Sequence, residues 1–152
     1  MFDRVLQFFT QPEAPGPKDA AELELAVAAL MVEAARMDSD FTAPEQKIIE
    51  RLLATRFKLG ADEVRRLIEQ ATEAVRHSAQ LFPFTREVVQ RMPPQERVRL
   101  IEVLWKVVFA NGVLDPLEDM LVRRIAGLIH VEDRDRAEAR WRALAGLKAS
   151  KP

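Results

Sequence analysis

Oxygen is the only ligand chemistry that this sequence offers in quantity. Cysteine is absent and there are two histidines, His77 and His130, neither with a partner at metal-ligand spacing, whereas Asp and Glu together number 24. Disulfide scaffolds, zinc fingers, iron–sulfur clusters and thiol catalysis are thereby excluded. The acids concentrate in two stretches. No Lys or Arg falls between Arg36 and Lys47, where Asp38, Asp40 and Glu45 lie, or between Lys106 and Arg123, where Asp115, Glu118 and Asp119 lie. Carboxylates gathered without a base repel one another, and a hard cation or a basic partner relieves that repulsion.

Asp38, Asp40 and Thr42 reproduce the first alternate-position ligands of a calcium loop, D-x-D-x-T, but the sixth position is Ala43 rather than Gly and the twelfth is Ile49 rather than a carboxylate. An EF-hand is rejected on those grounds. A cation site shared between the two stretches is not. The same residues also have a purely structural use. Thr42 with Glu45, and Asp115 with Glu118, have the N-cap to N3 spacing of a capping box, with Pro116 at the favoured first helical position.

The stretches connect helices. Beyond Pro17, proline occurs only at 44, 83, 93, 94, 116 and 152, and between these the apolar residues recur at helical spacing. The pattern predicts an all-α single-domain bundle of about seven helices, at roughly 19–37, 43–58, 61–80, 83–91, 94–110, 116–129 and 133–146. Leu23 to Ala35 and Val98 to Ala110 are apolar nearly all round and belong at the centre. Trp105 and Phe109 are expected in that core. Glu132 to Arg142 mixes acids and arginines as a solvated helix does, with Trp141 expected to pack on the body rather than bind a partner.

Sliding the chain by 73 positions, the separation of Glu45 and Glu118, sets Val27 on Leu100, Leu30 on Val103, Val32 on Trp105, Ile49 on Val122 and Leu52 on Ile125. The two halves are pseudo-repeats, and packing about a pseudo-twofold axis would bring both acidic connectors to one side. Residues 1–17 read as a short amphipathic segment and a Pro-rich linker, 18–147 as the helical domain and 148–152 as a flexible tail.

Other classes fit poorly. A net charge of −1 supplies no basic field for nucleic acid. No stretch reaches the roughly 18–20 apolar residues of a membrane span, and the first nine residues lack a cleavage-type region, so a cytoplasmic protein is expected. The amphipathic start carries one Arg and one Asp and no basic cluster. Peripheral membrane contact is therefore disfavoured against packing or a protein partner. Glu-x-x-His pairs of a diiron bundle are missing, and neither histidine accompanies a nucleophile, so enzymatic activity is not expected.

The segments Val32 to Glu45, Leu81 to Thr85 and Leu104 to Glu118 resemble the TerB-like proteins, which are associated with tellurite resistance and stress response. The likeness spans about residues 20–145. It implies an all-helical, non-enzymatic module, a scaffold at the membrane or among stress proteins, in which a divalent cation (Ca, Mg, Mn or Zn) is held by the connectors. Carried onto this sequence, the family's connector Asp is Asp38 in the first half and Asn111 in the second, its Gly is Ser39 and Gly112, and its Glu is Glu45 and Glu118. Asn111 retains a carbonyl oxygen without the charge. Asp38, Asp40, Glu45, Asn111, Asp115 and Glu118 are thus the expected metal ligands. The alternative is a metal-free, co-chaperone-associated scaffold that binds a protein through its acidic surface or its N-terminal segment.

Overall fold

Seven helices account for nearly all of residues 17–35, 43–77, 80–110 and 116–150, which the computed structural model describes. They are α1 (Pro17–Ala35), α2 (Ala43–Phe57), α3 (Ala61–His77), α4 (Phe82–Arg91), α5 (Pro94–Val108), α6 (Pro116–Leu128) and α7 (Asp133–Ser150). No strand occurs among the described residues. Proline sets the starts: Pro17, Pro94 and Pro116 each occupy the first helical position, where a missing N–H costs nothing. The last helix runs on to Ser150, through most of the segment expected to be a tail. The amphipathic segment and the rest of the linker, residues 1–16, lie outside the described residues.

The two all-apolar helices take the centre. α1 packs on α2, α3, α4, α5 and α6, and α5 packs on α1, α2, α6 and α7. Residues on opposite sides of α1 are equally dry: Ala28, Leu30 and Val32 are fully buried, as are Ile101, Leu104 and Val107 on α5. A helix hydrophobic all round has to be enclosed in this way. The repeat survives in the packing. α1 with α2 and α3 mirrors α5 with α6 and α7, and the cross pairs α1–α6 and α5–α2 are equivalent. Register partners share burial, including Ile49 with Val122 and Met31 with Leu104.

Each half also closes its second helix with the same kind of cap, one residue earlier in the second half than the 73-residue register would set it. Lys58 and His130 adopt positive φ (54° and 61°), and the next amides, Leu59 and Val131, donate back to Ala54 and Ala126 at 3.1 and 2.9 Å. These are left-handed C-terminal caps, a job usually given to glycine. Ion pairs tie the outer helices on: Arg91 reaches Glu22 at 3.2 Å and Glu87 at 2.5 Å, while Arg142 reaches Glu102 at 2.5 Å. Arg97 donates to the carbonyl of Ile129 at 2.8 Å, joining the start of α5 to the end of α6.

Trp105 and Phe109 are core residues, their rings stacked at 5.6 Å with the Arg140 guanidinium 5.5 Å from each centroid. Trp141 corrects the expectation for it: it is 72% exposed and does not pack on the body. α7 turns Ala139 and Ala143 toward α5, and two small residues at i,i+4 let the helices close without the bulky ring, which points away.

Candidate functional site

A glutamate at N3 of a helix ordinarily bends back to the amide of the N-cap residue, in contact with water. α3 does so. The Gly60 amide donates to Glu63 Oε1 at 3.3 Å, and Glu63 is exposed. Glu45 in α2 and Glu118 in α6 stand at the same N3 position, yet they are 3% and 6% exposed. They are the only charged residues in the buried set of the described structure.

The burial follows from the repeat. One turn beyond each glutamate lies a fully buried β-branched residue, Ile49 after Glu45 and Val122 after Glu118. Side chains at i and i+4 share a helix face, so each glutamate lies on the inward face. The spacing alone does not bury it: Leu67, one turn beyond the exposed Glu63, is buried as well, and α2 and α6 differ from α3 in packing on both central helices. The neighbouring acid is arranged differently. Asp119, one residue on, faces outward far enough to pair with Arg123 at 2.9 Å across one turn.

Of the six expected ligands, Glu45 and Glu118 are placed by the structure; Asp38, Asp40, Asn111 and Asp115 lie outside the described residues. α2 and α6 are not among the helix pairs in substantial contact, and the two glutamates are linked through the central helices that both elements touch. Among the described residues no three Asp, Glu or His side chains converge as a metal site. The donor set, carboxylate and carbonyl oxygen throughout, is that of a hard divalent cation. Both histidines are accounted for elsewhere: His77 pairs with Glu73 at 3.0 Å on an exposed face, and His130 serves the α6 cap.

A matching family model adds to this geometry. Residues 24–141 match the model described as tellurite resistance protein TerB, a span from the first turns of α1 to the middle of α7. The chain belongs to the TerB family. Comparison with curated proteins and with solved structures returned no match. The TerB match covers both buried glutamates, both connectors and the helix pair at the centre. Among the described residues of this TerB chain, no helix is long and apolar enough to cross a membrane.

One feature of this TerB chain escaped the sequence reading. Arg56 of α2 and Arg99 of α5 stand close enough that the Arg56 guanidinium is held below its ordinary pKa, first by burial and then by the charge of Arg99. Glu96 pairs with Arg56. The signal was present in the repeat: Arg56 falls on Ile129, an apolar position in one half and a cation in the other.

Proposed function

We propose that this TerB chain is a non-enzymatic, cytoplasmic binding module in tellurite resistance and stress response, whose acidic connectors take up a divalent cation. The observation that carries the proposal is the burial of Glu45 and Glu118. Capping alone is satisfied in the open, as Glu63 demonstrates, whereas a carboxylate withdrawn from water costs several kcal/mol before compensation. Withdrawal at both repeat-equivalent positions, each next to an acidic connector, fits ligand duty better than capping. Asp38, Asp40, Asn111 and Asp115 would complete the oxygen set. When bound, a cation would neutralise these acids and fasten each connector to the helix that follows it.

The capping and cation roles separate by isosteric substitution. Gln serves a capping box as well as Glu does but lacks the charge. In chelator, Glu118→Gln should retain wild-type stability to within about 0.5 kcal/mol, whereas Glu118→Ala should lose about 0.5–2 kcal/mol. Calorimetric titration with Ca, Mg, Mn and Zn should show saturable binding to wild type that Glu118→Gln with Asp38→Asn abolishes. A cation at 100 times its dissociation constant should then stabilise wild type alone, by about 2.7 kcal/mol. No heat and no thermal shift with any of the four ions would sink the cation reading.

The scaffold reading is favoured by a different observation. Leu117 and Met120 are 47% and 64% exposed on either side of Glu118, and such residues at the edge of an acidic connector suit a protein partner with an apolar and basic face.

A further inference from the structure

An almost wholly apolar recess opens where α1, α2 and α5 meet, with a volume of about 230 Å³. Val27 and Met31 of α1, Leu52 of α2, Met92 after α4, and Leu100 and Val103 of α5 form its walls. Val27 and Leu100 are register partners, so the recess lies near the pseudo-symmetry axis. At its mouth are Thr55, Arg56, Arg99 and Glu102.

The repeat explains why it is open on this side. The register partner of Arg56 is Ile129, which is fully buried. An arginine cannot be buried in that way without a partner, so its head remains at the surface against Glu96, and the space beneath the stem is left unfilled.

The charges at the mouth do not cancel. Glu96 is engaged by Arg56, and Glu102 is engaged by Arg142 at 2.5 Å and Lys106 at 3.6 Å. Arg99 is in no ion pair among the described residues. Asp135 of α7 shares an adjoining groove with Arg99, and no ion pair joins the two. Two guanidiniums thus line one apolar recess, and the pKa of Arg56 is lowered first by burial and then by the charge of Arg99.

We propose that this recess binds a free straight-chain carboxylate of medium length, with the alkyl chain against Val27, Met31, Leu100 and Val103 and the carboxylate between Arg99 and Arg56. At about 30 Å³ for each group the size of a water molecule, the recess has room for a chain of roughly eight such groups. A carboxylate supplies the planar acceptor that a guanidinium fork matches, and it removes the repulsion between the two arginines.

The test uses the full chain and three probes below their micelle concentrations: octanoate, octan-1-ol and octyltrimethylammonium. Amide chemical shifts and calorimetry should show one saturable octanoate site at the recess, octanol weaker by about tenfold or more, and no binding of the cation. Arg99→Gln should bring octanoate to the octanol level and leave octanol unchanged. Val103→Trp should abolish both, with Thr55→Trp as the substitute if the first variant does not fold. The proposal is overturned if octanoate binds no better than octanol, if Arg99→Gln leaves it unaffected, or if the shifts fall on Leu117, Met120 and Trp141 instead. Association with phosphatidylglycerol vesicles without octanoate binding also overturns it.

Discussion

Replacing Arg56 by Ile sets the residue type of the second half at the equivalent place in the first. The wild-type side chain spans a recess of about 230 Å³ to reach Glu96, with side chains 37% and 29% exposed in that pair. An ion pair that open contributes about 0–1 kcal/mol. A fully buried Ile contributes about 1.5–3 kcal/mol, and one lining a recess that still opens to solvent about half of that. The repulsion between Arg56 and Arg99 is relieved as well. Arg56→Ile should therefore be more stable than wild type by about 0.5–1.5 kcal/mol, a rise of roughly 1–6 °C for a domain of this size. Urea unfolding with an unchanged m-value, alongside calorimetric melting, measures it. A variant less stable than wild type by 0.5 kcal/mol or more would refute the argument, because it would mean that the ion pair or the arginine stem contributes more than the recess can gain by being filled.

Two further outcomes test the local physics. The carboxyl of Glu24 on α1 is raised above its ordinary pKa, first by burial and then by Glu63 on α3. A carboxyl raised in the folded state contributes stability that is fully present below the unfolded value near 4.5 and is lost as pH rises through the folded value. Glu24→Gln should flatten the decline of stability with pH over that window, and acid-range urea titrations of both proteins would show it; an unchanged slope would count against the shift. His130 at φ 61° carries the cost of a left-handed conformation that glycine does not incur, so His130→Gly should gain about 0.5–1 kcal/mol in thermal melts, and a loss would show that the ring makes contacts the cap depends on.

The helices were legible because their cause is local. Proline at 17, 94 and 116 opens a helix wherever the chain goes, and the apolar periodicity of Ile49, Leu53, Val64, Leu67 and Ile68 fixes which face turns inward. The two central helices could be recognised from their all-round apolar character, and the repeat from the register that unites Glu45 with Glu118. Trp141 was misjudged because amphipathic pattern gives a helix face without saying how closely the neighbour approaches. Ala139 and Ala143 bring α7 onto α5, and the ring is left in water.

Sequence alone therefore determined an all-helical TerB chain, its seven elements and the pairing of two acidic connectors at equivalent places, since capping, proline and period 3.6 act within a few residues of one another. Tertiary structure decided which acids leave the solvent. Glu45, Glu63 and Glu118 are indistinguishable as N3 glutamates, and only the packing of α2 and α6 on the central pair buries the first and the last while Glu63 stays exposed. It also decided what a cationic break in the repeat does. Arg56 set against Ile129 is one of several unlike pairs in the alignment of halves, but between packed helices it leaves an apolar recess beneath two arginines, because a guanidinium is drawn to the surface and cannot fill the space a branched alkyl chain would.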